Sequence, residues 1–169
     1  NGKYIMPVIK MDDGSMMKNS IVLKADVSGS IAIGKRHSLK IGATLGSSLL
    51  QEEPPLSYQF FVGGQSNMNY FDNIISFDGL RFTQLYGDHI AIAKMSWQYN
   101  FYKNLYAIAN VNGGYINSDY NSWFSDKSFV FGCGLTFGIE TMAGPIELSL
   151  MGSNRCSDLV GFLNVGYWF

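Results

Sequence analysis

In "AKMSWQYNF" every second side chain is apolar. Ala93, Met95, Trp97, Tyr99 and Phe101 fall on one side, with Lys94, Ser96, Gln98 and Asn100 on the other. That period of two belongs to a β-strand with unlike faces, and it continues through most of the chain. In "SIVLKADVSGSIAIG", Ile21, Leu23, Ala25, Val27, Ile31 and Ile33 oppose Lys24, Asp26, Ser28 and Ser30. "SLKIGATLGSSLL" sets Leu39, Ile41, Ala43 and Leu45 against Lys40, Gly42, Thr44 and Gly46. "FVFGCGLTFGIET" sets Phe129, Phe131, Cys133, Leu135, Phe137 and Ile139 against glycines, Thr136 and Glu140. The last segment groups Leu159, Leu163, Val165, Tyr167 and Phe169. The spacing predicts an all-β, antiparallel, up-and-down fold of about eight or nine strands, with no domain boundary across residues 1–169.

The punctuation fits hairpins. Lys35 to His37, Lys103-Asn104 and "MAGPI" make tight connections, and Pro145 stands where a strand can begin. Pro54 and Pro55 keep "QEEPPLS" out of any ladder. Longer connections are expected from about Gln65 to Tyr86 and from about Ser118 to Lys127. On this reading short turns gather at one end and long loops at the other, with Lys35–His37 the exception.

Alternation alone leaves a soluble barrel and a membrane barrel open, because they differ only in which face points outward. Composition separates them. Charged residues are 15% of the chain, against about 25% in ordinary soluble domains. The polar face is mostly Gly, Ser, Thr, Asn and Gln, which suits a narrow lumen better than a surface in water. Trp97, Tyr99, Phe101, Tyr167 and Phe169 lie near strand ends, as the aromatic girdle of a membrane barrel does. The expectation is an antiparallel transmembrane β-barrel with its apolar side chains towards lipid. Unpaired backbone groups cost several kcal/mol each in hydrocarbon, so such a sheet must close, by itself or within a larger barrel. A soluble lipocalin-like ligand-binding barrel is the alternative, and solubility of the folded chain without detergent would favour it.

Other classes lose their support. A net charge of −1 and the lack of any Lys/Arg run give no basis for nucleic acid binding. Cys133 and Cys156 are too few for a disulfide framework and carry no metal-ligand spacing, so neither metal nor cofactor is expected. No stretch approaches the roughly 20 apolar residues of a membrane helix. The opening "NGKYIMPVIK" lacks the pattern of a signal peptide and begins close to a strand-like run, as the C-terminal part of a longer protein would.

Three pieces together resemble the C-terminal half of the BamA-type (bacterial surface antigen) outer-membrane barrel superfamily, over about the last hundred residues. "FFVGGQSNMNYFDNIISFDGLRF" resembles the strand, Gly-Gly and long sixth extracellular loop of that family. "GCGLTFGIETMAGPIELSL" resembles its penultimate hairpin, and "FLNVGYWF" its closing strand, whose terminal aromatics the barrel assembly machinery reads. The resemblance implies a bacterial outer-membrane location. It makes the clear strands the ninth to sixteenth of a sixteen-stranded barrel, with "YIMPVIK" part of the eighth. It further implies outer-membrane lipids, the assembly machinery and the N-terminal domains of the parent protein as partners, with a second copy of the chain also open. Insertase and secretion barrels of the family carry Val-Arg-Gly-Tyr/Phe shortly after the Gly-Gly. This chain has Met68-Asn69-Tyr70 in that region, without the arginine. With "SFDGLRF" it is more similar to the barrels that follow patatin-like phospholipase domains, where a periplasmic α/β domain does the chemistry. The insertase or translocator barrel is the alternative.

No catalytic set is found within these residues. "GQSNM" lacks the second glycine of a Gly-x-Ser-x-Gly nucleophile turn, and Asp78-Gly79 has no nucleophile partner and reads as turn chemistry. His37 and His89 have no carboxylate and hydroxyl at triad spacing. Lys94, Gln98, Glu140 and Glu147 are the lumen-facing polar candidates by alternation. Arg81 could reach inward to pair with Glu140 or Glu147, or stay a solvated loop arginine. Gly63 and Gly64 serve the backbone of the long loop, letting it fold back against the wall. Tyr167 and Phe169 are the candidate assembly signal.

Overall fold

The computed structural model describes residues 3–4, 21–49, 59–65, 73–118 and 128–166. Its main sheet contains β1 (Lys3–Tyr4), β2 (Ile21–Ile33), β3 (His37–Leu49), β7 (His89–Asn100), β8 (Leu105–Asn117), β9 (Phe129–Thr141), β10 (Gly144–Ser153) and β11 (Cys156–Val165). They pair in that order, each antiparallel to its neighbours. Three short strands, β4 (Phe60–Val62), β5 (Ile74–Ile75) and β6 (Leu85–Gly87), form a separate sheet, with β4 parallel to β5 and antiparallel to β6. Among the described residues no helix is long and apolar enough to cross a membrane.

The two faces of the main sheet differ as the alternation requires. Phe131, Phe137, Leu148 and Leu163 are 42%, 57%, 53% and 64% exposed on the outer face. Thr136 and Ser149 are buried on the inner face, where their hydroxyls hydrogen-bond at 2.8 Å. Small inner residues make room for large ones. The Tyr106 ring lies over Gly138 so closely that a Cβ there would strike it, and Met151 lies over Gly134 in the same way. Tyr106 O–H donates to Glu147 Oε1 (2.7 Å) and Asn164 Nδ2 donates to Glu147 Oε2 (3.2 Å), so one inner carboxylate joins β8, β10 and β11.

One expectation is corrected. "FFVGG" does not add a strand to the wall: Phe60–Val62 leaves the main sheet and folds onto its inner face. Its residues are apolar on both faces, which suits a strand covered on both sides rather than one facing lipid and lumen. The chain therefore crosses the wall one time fewer, and the Gly34–Arg36 turn lies at the same end as turns 101–104 and 142–143. The short turn at the long-loop end is instead Asn154-Arg155, held by Phe131 N–H donating to Asn154 Oδ1 (2.9 Å).

Candidate functional site

Residues 59–65 and 73–88 fold back onto the inner face and build the hydrophobic core there. Phe60, Val62, Ile75, Phe77 and Leu80 from the segment pack with Ile90, Ile92, Ile116 and Val130 from the wall. Its base is fixed by Ser48 N–H donating to Asp88 O (2.7 Å) and by the β4–β6 pairing. Phe60 lies against Gly46, where a Cβ would come within 2.7 Å of the ring.

Three glycines of the loop, Gly63, Gly64 and Gly79, shape the tip. Gly63 and Gly64 take φ of 141° and 74°, which L side chains rarely adopt, and a Cβ on Gly63 would collide with the Arg81 carbonyl. Gly64 exchanges hydrogen bonds with the returning chain, donating to Leu80 O and accepting from Phe77 N–H, each at 3.0 Å. At Phe77 to Leu80 the chain turns with Gly79 at φ 86°. The Asp78 carbonyl then sits directly over Gly132 of β9, and Gly79 over the Gly152 carbonyl of β10. The Asn112 amide completes the clamp: oriented to satisfy both neighbours, it accepts from Asp78 N–H (2.6 Å) and donates to Gly132 O (3.0 Å).

The polar side of the tip faces a cavity of about 370 Å³, lined among others by Asp26, Lys40, Gln65, Asp78, Lys94 and Glu147. Lys94 Nζ donates to Ser76 Oγ (2.8 Å) and faces the Asp78 carboxylate, which also accepts from Gln65 Nε2 (3.3 Å). Thr44 Oγ1 donates to Asp26 Oδ1 (2.6 Å), and Lys24 pairs with the same carboxylate at 3.1 Å. Gln98 bonds Asn100 Oδ1 (2.9 Å) lower on the wall, and Glu140 lies exposed at the short-turn rim. Arg81 pairs with neither Glu140 nor Glu147. It stays exposed and meets Asp158 at 3.7 Å, because the loop enters from the end opposite the β9–β10 turn that carries the two glutamates. Tyr167 and Phe169 lie outside the described residues. Among the described residues no cluster of His, Cys, Asp and Glu could hold a metal, and Cys133 and Cys156 are both free thiols.

The sequence model of the OMP85 superfamily matches residues 2–169. The chain belongs to the OMP85 superfamily. It is thus an outer-membrane β-barrel protein, its exposed apolar face is the lipid face, and the docked segment is a loop folded into the lumen. No curated protein matches the chain.

In this OMP85 barrel the docked loop depends on residues that alternation alone does not single out. Ile90, Ile92, Ile116 and Val130 are apolar at inward positions, and their signal is a stretch such as "HIAIA" with no polar face. Gly132 and Asn112 act by space and by one amide, so they carry no motif.

Charge at the loop has a testable sign. Burial raises the Asp78 pKa above its ordinary 3.8, and this outweighs the Gln65 donor and Lys94, which lower it. Burial likewise raises Asp88 at the loop base, against the lowering influence of His89, Ser118 and Gln59. A carboxyl whose folded pKa lies above its unfolded value stabilises the docked loop below the ordinary value, and that contribution is lost as pH rises through the raised one. Docking is therefore expected to tighten on acidification, opposite to what an Asp78–Lys94 salt bridge alone would give. Asp78→Asn should dock at least as well at neutral pH and show less pH dependence. Protease accessibility of the loop between pH 4 and 8 checks both.

Proposed function

We propose that this barrel anchors, and provides a conduit for, a patatin-like lipid hydrolase whose catalytic α/β domain lies outside these residues. The observation that carries the reading is the charge at the loop tip. Met68-Asn69-Tyr70 stands in the region where insertase and secretion barrels carry Val-Arg-Gly-Tyr/Phe, and the docked tip Phe77-Asp78-Gly79-Leu80 brings no arginine to the lumen either. Here the tip carries the acid and Lys94 of the wall supplies the cation. A barrel without the insertase arginine suits a passive anchor better than a seam that opens for substrate.

The wall strands serve the same role. β1 and β11 are not paired to each other among the described residues, and unpaired edges cost several kcal/mol per group in hydrocarbon. Further strands of the same protein close them into a sixteen-stranded barrel. Lys94, Gln98, Glu140 and Glu147 line its lumen, and Tyr167 and Phe169 form the signal read by the assembly machinery.

The test uses the full-length protein in liposomes. It should react with a fluorophosphonate probe at a serine N-terminal to Asn1 and release fatty acid from a fluorogenic phospholipid. Absence of labelling, together with loss of other assembled outer-membrane proteins when this one is depleted, would select the insertase reading instead.

A further inference from the structure

The outer wall at β2 and β3 departs from an even apolar surface. Their register sets Gly29 opposite Ile41 and Val27 opposite Ala43, so small and large side chains face each other across the pair. The result is a groove of about 460 Å³ lined by Val27, Gly29, Ile31, Leu39, Ile41 and Ala43, together with Ser30 and Gly42. The first six lie on the lipid face, and a Cβ on Gly29 would meet nothing within 4 Å.

The groove ends at the Ile31–Leu39 pair, and the Ile33–His37 pair separates it from the turn Gly34-Lys35-Arg36, whose residues are all exposed. Arg36 O accepts from Asn100 N–H (2.8 Å), which ties this turn to the one carrying Lys103. The two turns, "GKRH" and "FYKN", hold three permanent cations and no acid. Glu140, whose N–H bonds Asn104 O (2.8 Å), belongs to the inner face beyond the second turn. His37 stacks on Tyr99 (4.7 Å, 19°) and lies parallel to Trp97 (5.7 Å, 2°), giving the turn a rigid aromatic ledge. A chain-sized apolar groove thus ends near a fixed cationic corner at the depth of the interface.

We infer that β2 and β3 form a binding site for an anionic glycerophospholipid, its acyl chains along the Gly29 groove and its phosphate on Lys35 and Arg36. A zwitterionic lipid would bring its own cation to the same corner and lose most of the attraction. The site lies at the end opposite the long loops, hence in the leaflet away from them. It does not depend on which domain the barrel carries.

The experiment uses full-length protein in nanodiscs, with Trp97 as its only tryptophan and lipids brominated on their acyl chains. Brominated phosphatidylglycerol should quench Trp97 at lower mole fraction than brominated phosphatidylcholine, by roughly fivefold for each cation engaged. Lys35→Gln with Arg36→Gln should remove that preference, as should high salt. Gly29→Leu, which fills open space, should weaken quenching by phosphatidylglycerol several-fold while gel mobility still reports a folded barrel. Equal quenching by the two lipids, which marks an ordinary lipid annulus, overturns the site. So does a preference that survives the Lys35/Arg36 change, or quenching untouched by Gly29→Leu.

Discussion

Gly132→Val is expected to drive the loop out of the lumen while leaving the barrel wall intact. A Cβ at Gly132 collides with the Asp78 carbonyl and comes within 2.9 Å of the Phe77 ring. The carbonyl belongs to a turn pinned by Asn112 and by the bonds of Gly64 to Phe77 and Leu80, so it cannot rotate aside. Overpacking of this kind costs about 1–3 kcal/mol. Undocking gives up the burial of Phe77 and Leu80, about 1.5–3 kcal/mol each, and so resists expulsion. The tip leaves nonetheless because the overlap is with a backbone carbonyl, which the side-chain shifts that absorb ordinary overpacking cannot relieve. Valine favours strands, so β9 itself should not suffer. Gly113→Val is the matched control: it lies on the outer face of the next strand, where a Cβ meets only ordinary contacts of 3.7 Å or more. Proteolysis at the loop should become fast in the Gly132 variant and stay slow in the control, with both migrating as folded barrels before heating. A loop that stays protected in Gly132→Val would show that the glycine seat is not what holds it.

That contrast marks how far the sequence can be read. Strands β2, β3, β7, β8, β9, β10 and β11 are legible because each buries one face only, and a period of two with small polar partners fits a half-buried strand and no helix. Orientation is legible from the scarcity of charge, since a water-facing sheet would need Lys and Glu where this one has Gly, Ser and Thr. The course of residues 59–65 and 73–88 is not. "FFVGG" has the composition of a strand and is one, but it pairs within the loop, and no local pattern says which partner it takes. Of the two courses open to Arg81, inward pairing or exposure, it takes the second and meets Asp158. Alternation says nothing of height along the barrel, and Asp158 lies at the end where the loop enters. The Asn112 amide and the seat at Gly132 leave no trace in the sequence. They depend on three strands and a loop meeting at one point.

Leu135→Arg should be the most damaging single change on the lipid face. Leu135 is the central residue of the thirteen in β9, is 55% exposed on the outer side and pairs with Leu150 and Ala109, so it lies near the midplane. A guanidinium there loses its hydration with no counter-charge at hand, at a cost of roughly 2–4 kcal/mol for a barrel in a bilayer. One position further on, Thr136 points inward, and its neighbours across the cavity include Asp26, Asp78 and Glu147. An arginine introduced on that side has water and these acids within reach, which outnumber the neighbouring Lys40 and Lys94. Ser96→Arg, which enters the same cavity from β7, is therefore expected to cost far less than Leu135→Arg although it adds the same group. Denaturant unfolding in lipid vesicles measures both, and the difference between them is the quantity of interest, since wall strands and loop are otherwise unchanged. If Ser96→Arg proved the more destabilising of the two, the outer face would not be the one in contact with hydrocarbon.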